Sequence, residues 1–94
     1  MKDELQTSGS YMQMALRTEY GEDLFLRIPT VWDESQKLWV GFIKTPNSKE
    51  LIYGSGKNSV ALQNSFNSAI EEKLQNPELQ EEVFSMFKPL KDWN

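Results

Sequence analysis

The spacing of apolar residues changes once along this chain of 94 residues, and that change constrains the fold most. Before residue 59 apolar and polar side chains largely alternate, which is the period of a β-strand with one buried face. From Ser59 onward the apolar residues recur every three to four positions, which is the period of an amphipathic helix. The sequence therefore predicts an α+β fold in which strands precede helices.

Four strands are predicted before the change of period. Residues 11–18 and 24–28 alternate, residues 37–43 are apolar on both faces and mark a covered central strand, and residues 51–53 form a short fourth strand. Pro29 cannot donate to a ladder, so we expect the second strand to end, bulge or lie on an edge there. The short connections favour an antiparallel meander.

Two helices are predicted after the strands. Asn76 is a favourable N-cap and Pro77 suits the first position of the second helix, which Pro89 limits. The apolar stripes consist of Leu62, Phe66, Ala69, Ile70 and Leu74 in the first helix and of Leu79, Val83, Met86, Phe87 and Leu90 in the second. We expect Phe84, Met86 and Phe87 to be core residues. The predicted fold is a four-stranded antiparallel meander followed by two helices packed on one face (β-β-β-β-α-α), with residues 1–10 as a lead-in and 11–94 as one domain.

The composition excludes several classes of function. The chain has no cysteine and no histidine, so it lacks thiolate chemistry and the commonest general base and transition-metal ligand. No apolar run approaches the roughly 18 to 20 residues of a membrane span, and residues 1–6 do not resemble a secretory signal. We therefore expect a cytoplasmic protein of a bacterium or of a virus-infected host, neither an enzyme nor a membrane protein, without a cofactor or metal.

A glycine-rich segment, Gly54-Ser55-Gly56-Lys57-Asn58-Ser59, lies between the last strand and the first helix. A phosphate-binding loop needs a glycine five positions before Gly-Lys and a hydroxyl residue directly after it. Leu51 and Asn58 occupy those two positions, so the motif fails twice. The simpler interpretation is a flexible turn that ends in a helix N-cap, and the alternative is a weak anion site at the helix start aided by Lys57.

Three pairs of adjacent carboxylates could in principle support acid–base chemistry or bind a hard cation. Glu22-Asp23 and Asp33-Glu34 fall in predicted turns, and Glu71-Glu72 falls on the polar face of a helix. Acidic residues in such places are usually solvated, and no further ligands follow at loop spacing. We interpret these pairs as surface charge.

The sheet face away from the helices is the principal candidate site. If Met12, Met14, Leu16, Leu24, Leu26 and Ile28 face the helices, the outer face carries Tyr11, Arg17, Phe25 and Arg27. The third strand adds Trp39 and Ile43 with one parity, or Leu38, Val40 and Phe42 with the other. Large apolar groups there must contact something. The alternatives are a second copy of the chain, the N-terminal lead-in, another protein, or single-stranded nucleic acid stacked on the aromatic rings between the arginines.

Residues 24–74 resemble the HicB-type antitoxin domain. The likeness runs through an extended strand (24–32), an acidic turn (33–36), a strand with an early aromatic (38–44) and a loop with Pro46. It then continues through Gly56-Lys57-Asn58-Ser59 into a helix containing Ala69-Ile70-Glu71-Glu72. The chain departs from that family in lacking Pro-Gly-Cys after the second strand, in starting its helix with Asn-Ser instead of Asp-Thr, and in having an extra N-terminal strand and no DNA-binding element.

The resemblance implies an antitoxin-like role, in which a small acidic domain caps a basic toxin or nuclease. A phage-encoded inhibitor of a host enzyme would use the same physics. Most of the net charge of −4 lies in residues 58–94, which discourages that part from contacting phosphate backbones. We therefore expect a non-catalytic, homodimeric protein-interaction domain that binds a basic protein partner. The alternative is single-stranded nucleic-acid binding through the aromatic and arginine side chains of the sheet. The candidate partner-binding residues are Tyr11, Arg17, Phe25, Arg27, Trp39, Glu71 and Glu72, with Glu81 and Glu82 as further exposed acids.

Overall fold

The computed structural model describes residues 10–93, so nearly all of the predicted lead-in, residues 1–9, lies outside the described residues. The prediction of an antiparallel four-stranded sheet followed by two helices is confirmed, with strands in the order β1-β2-β3-β4. No helix within the described part of the chain is both long and apolar enough to span a bilayer. The elements are β1 (Tyr11–Arg17), β2 (Asp23–Asp33), β3 (Leu38–Lys44), β4 (Leu51–Gly56), α1 (Ser59–Leu74), α2 (Pro77–Ser85) and a C-terminal 3₁₀ helix (Leu90–Trp93).

Strand β2 does not end at Pro29 but changes its pairing partner there. Its first part pairs with β1, from Asp23 opposite Arg17 to Pro29 opposite Tyr11. Pairing with β3 begins only at Thr30, which lies opposite Gly41. Because Pro29 has no N–H to donate, the ladder with β3 cannot be extended through it in the usual way. The proline therefore marks the point at which β2 and β3 separate.

The turn between β2 and β3 is organised by Asp33. Its carboxylate accepts hydrogen bonds from the hydroxyl of Ser35 at 2.7 Å, from the backbone N–H of Ser35 at 3.0 Å and from the side chain of Gln36 at 2.8 Å. These bonds, that of the Ser35 hydroxyl above all, outweigh the opposing effect of desolvation and lower the pKa of Asp33. This carboxylate is therefore used to shape the turn.

Helix α1 packs on the inner face of the sheet across a flat strip of glycines. Its inward residues Leu62 and Phe66 are fully buried. A Cβ on Gly54 would lie 2.6 Å from the Phe66 ring, and one on Gly56 would lie 2.4 Å from the backbone nitrogen of Leu62. These glycines therefore lie in β4, where the absence of side chains lets α1 pack closely against the strand. The prediction of a flexible turn over residues 54–59 is wrong for this part, although Asn58 does form the N-cap and accepts the Ala61 N–H at 2.9 Å.

Helix α2 is shorter than the apolar pattern predicts. It ends at Ser85, so Leu90 lies outside it, in the 3₁₀ helix. Met86 and Phe87 are buried as predicted, but Phe84 points outward and is 44% exposed, so its assignment to the core is wrong. The core consists of Met14, Leu26, Ile28, Trp39, Ile52, Leu62, Phe66, Ile70, Leu79, Val83, Met86 and Phe87.

The chain beyond α2 returns to the sheet. Lys88 forms a short antiparallel bridge with Phe25 of β2, with N···O distances of 2.7 and 2.8 Å. The indole nitrogen of Trp93 donates a third hydrogen bond, of 2.7 Å, to the carbonyl oxygen of Phe25. The C-terminal segment is thereby fixed to the part of β2 that β3 does not reach.

Candidate interaction surface

The outer face of the sheet carries four of the residues selected from the sequence, but not Trp39. Tyr11, Arg17, Phe25 and Arg27 share one face by strand alternation and register. Trp39 points to the inner face, is 5% exposed and contacts Trp32 edge to face, with ring centroids 5.4 Å apart. The placement of Trp39 on the outer face is therefore wrong, because β3 has the opposite parity and turns Trp39 inward.

Because Val40 and Phe42 of β3 face outward, the outer face carries an exposed apolar strip across β2, β3 and β4. We define the apolar strip as Val31, Val40, Phe42, Leu51 and Tyr53. Val31 lies opposite Val40, and Phe42 lies opposite Tyr53. The exposed fractions are 54% for Val31, 57% for Phe42 and 47% for Tyr53. These neighbouring side chains form a continuous apolar patch on the sheet face that the helices do not cover.

A shallow hollow lies within the apolar strip. It has a volume of about 330 Å³ and is lined by Pro29, Thr30, Val31, Val40, Gly41 and Phe42. Gly41 presents only its backbone to this face, because a Cβ on Gly41 would point toward Phe66 on the inner face. The hollow gives the strip a concave part that an apolar side chain of another molecule can enter.

At the β1 end of the outer face both arginines already have partners. The Arg27 guanidinium lies 4.5 Å from the centre of the Tyr11 ring and donates a 2.9 Å hydrogen bond to Gln13. Arg17 donates two hydrogen bonds to Asp23, at 2.9 and 3.3 Å. The hydrogen bonds and charge of Arg17 lower the pKa of Asp23. This end is therefore a polar border beside the apolar strip.

The acidic residues Glu71 and Glu72 lie on a different surface. Both are exposed on α1, and α1 packs against the inner face of the sheet. The structure therefore does not bring them together with Tyr11, Arg17, Phe25 and Arg27. Glu78 and Glu81 are likewise exposed on α2, and we call these four exposed glutamates of the two helices the acidic helix surface.

Glu82 does not belong to the acidic helix surface, although the sequence suggested that it would. It is 6% exposed, and its carboxylate accepts the backbone N–H groups of Asn47 and Ser48 at 3.1 Å each. Burial raises the pKa of Glu82, but the hydrogen bonds from Ser48, Thr45 and Asn47 together outweigh it, so the pKa lies below its ordinary value. Glu82 thus ties α2 to the turn between β3 and β4.

In the part of the chain that the structure describes, three of the carboxylates are engaged in structural contacts. No group of three or more acidic side chains there could hold a metal ion. Asp23 is paired with Arg17, Asp33 shapes a turn and Glu82 holds a loop. The apolar strip is suited to burying apolar area, and the acidic helix surface is suited to attracting positive charge.

The apolar strip could have been located from one further signal in the sequence. Gly41, Gly54 and Gly56 fall on a single parity of β3 and β4, and a sheet face that receives a helix benefits from small residues. This criterion would have assigned Val40, Phe42 and Tyr53 to the outer face. Comparison with protein-family models, with curated proteins and with solved structures finds no match to this chain.

Proposed function

We propose that this chain is a small, non-catalytic protein-interaction domain that self-associates through the apolar strip. The observation that carries the proposal is the strip itself, because Val31, Phe42 and Tyr53 are each about half exposed and lie in contact positions on neighbouring strands. Burying such a patch against its symmetric copy removes apolar surface from water, which is the main driving force of protein association.

Self-association through the sheet would leave the acidic helix surface outward in both copies. Glu71 and Glu72 of α1 and Glu78 and Glu81 of α2 then face solvent, and a basic protein would be attracted to them. This arrangement suits an antitoxin-like protein or a phage-encoded inhibitor, in which an acidic domain covers a basic toxin or host enzyme. The net charge of −4 supports a basic protein over nucleic acid as the partner.

Light scattering coupled to size exclusion tests the self-association. At about 100 µM, well above the micromolar dissociation constants of ordinary interfaces, we expect twice the mass of the chain. Phe42→Glu places a charge in the apolar strip and should give the mass of one chain. Phe84→Glu makes the same change at an exposed position on α2 and should leave the dimer intact.

Two outcomes would overturn this proposal. One is a single-chain mass for the unmodified protein at that concentration. The other is an equal loss of the dimer in Phe84→Glu and Phe42→Glu while both retain the circular-dichroism spectrum of the folded protein.

The acidic helix surface is tested by reversing its charge. We expect a basic partner captured from the native host at low salt to be lost with the double variant Glu71→Lys, Glu72→Lys. It should be retained by Lys57→Glu, Lys91→Glu, which changes charge outside that surface. If the double variant Glu71→Lys, Glu72→Lys still captures the basic partner, the proposed role of the acidic helix surface is contradicted.

A further inference from the structure

A cavity opens where β2 and β3 separate. The two strands are paired only from Thr30 opposite Gly41 to Asp33 opposite Leu38. Toward the start of β2 the place of β3 is taken by Lys88, which bridges Phe25. The sheet therefore has a gap between Leu26 and the end of β3, and the C-terminal segment closes only part of it.

The cavity in this gap has the size and the lining of a small-molecule site. Its volume is about 310 Å³, at the lower end of the roughly 300–1,000 Å³ of ligand pockets. Apolar side chains dominate its lining, among them Leu26 and Met86 of the core. The residues that line it are Leu26, Ile43, Lys44, Pro46, Ser85, Met86, Lys88 and Trp93.

Trp93 forms a wall of the cavity that is held in place. Its indole nitrogen donates a 2.7 Å hydrogen bond to the Phe25 carbonyl oxygen, and the Lys88 ammonium lies 5.0 Å from the centre of its ring. Both contacts fix the orientation of an aromatic surface before a ligand arrives. A site that is already ordered loses little entropy on binding.

The charge at the cavity is opposite to that of the chain. Within residues 10–93, Lys44 and Lys88 are the only charged residues that line it, whereas the chain as a whole carries 14 acidic and 10 basic residues. Neither lysine is in an ion pair with a carboxylate of residues 10–93. The positive charge at the cavity is therefore available to an anion.

We propose that this cavity binds a small organic anion with an apolar body, such as a medium-chain or aromatic carboxylate. The apolar body would displace water from Ile43, Pro46 and Trp93, which are at least partly exposed, and the carboxylate would be attracted by Lys44 and Lys88. No residue of the apolar strip lines this cavity, so its occupation goes beyond the proposed self-association.

Isothermal titration with sodium octanoate tests the proposal. We expect saturable binding with a dissociation constant of about 1 mM or lower, the affinity typical of a weak but specific small ligand. Octanol has the same chain without the charge, and acetate has the charge without the chain. Both should bind at least about tenfold more weakly, which corresponds to about 1.4 kcal/mol. The indole N–H resonance of Trp93, assigned with Trp93→Phe, should shift with octanoate.

Variants of the lysines separate a charged site from a merely apolar cavity. The double variant Lys44→Gln, Lys88→Gln should weaken octanoate about tenfold, whereas Lys49→Gln, Lys57→Gln, which removes two lysines that do not line the cavity, should not. Val31→Glu places a charge in the apolar strip at Val31, which lies opposite Val40 and away from Lys44, and should bind octanoate unchanged, so failure of the proposed dimer can be told apart from failure of this site. Equal affinity for octanol and octanoate, equal weakening by both lysine pairs, or the absence of saturable heat would each overturn the proposal.

Discussion

The ring of Phe66 lies so close to Gly54 that a Cβ there would be 2.6 Å from its Cδ1 atom. Phe66 is completely buried, so the ring cannot move away without displacing core neighbours. At Gly56 the obstacle is the backbone of α1 itself, 2.4 Å away. The packing of α1 on β4 therefore depends on the absence of side chains at these two positions.

Gly54→Ala should lower the free energy of unfolding by about 1 to 3 kcal/mol, the usual cost of overpacking a core. Gly56→Ala should cost more, because a helix backbone yields less easily than a ring. Urea unfolding followed by circular dichroism measures both. Ser55→Ala, between them, adds no atoms and should change stability by less than about 0.5 kcal/mol. Equal stability of Gly54→Ala and Ser55→Ala would contradict this account of the packing.

Glu82→Gln should destabilise the protein at neutral pH, because an amide cannot replace both hydrogen-bond-accepting oxygens that Asn47 and Ser48 use. The pKa of Glu82 is lowered in the folded state. Its ionisation therefore contributes stability above the ordinary glutamate pKa, and this contribution is lost as the pH falls through the lowered value.

The stability difference between the unmodified protein and Glu82→Gln should accordingly shrink toward acid pH. Urea midpoints measured from neutral to acid pH follow it, with Glu81→Gln, an exposed neighbour on the same helix, as the control. A difference that is constant over the acid range would show that ionisation of Glu82 does not stabilise the loop.

Single-stranded DNA or RNA should not bind below about 10 µM at low salt, because a chain of net charge −4 repels phosphates. The structure adds a second reason, since Arg17 is paired with Asp23 and Arg27 with Gln13. Gel-shift experiments at about 50 mM salt measure this. Tight binding that weakens steeply with salt and is abolished by Arg17→Ala and Arg27→Ala would favour the nucleic-acid alternative.

Removal of metal ions should leave the melting temperature unchanged, because the chain has neither histidine nor cysteine and its described carboxylates do not assemble a cation site. Differential scanning fluorimetry with and without excess EDTA tests this. A shift of several degrees that added calcium reverses would reveal a carboxylate and carbonyl site.

Local patterns determined the order of the elements and the inner face of the first hairpin. Alternation in residues 11–18 and 24–28 is enough to place Met14, Leu26 and Ile28 inside, and all three are buried. The pair Asn76-Pro77 similarly marks the start of α2, where the Asn76 side chain accepts the Glu78 N–H at 3.0 Å. These features depend on neighbours within a few positions, so the sequence carries them by itself.

The tertiary structure decided what local patterns leave ambiguous. Residues 38–43 are apolar on both parities, so the alternation of apolar residues does not select Trp39 for the core and Phe42 for the surface; the packing of α1 over the glycines does. From the sequence, Glu82 resembles an exposed acidic residue of a helix. In the structure it is buried, because the backbone N–H groups of Asn47 and Ser48 in a distant turn donate hydrogen bonds to it. The cavity exists because Lys88 pairs with Phe25, 63 positions earlier in the chain, in the part of β2 that is not paired with β3. Each of these outcomes depends on contacts between segments far apart in the chain, and the alternation of apolar and polar residues does not record such contacts.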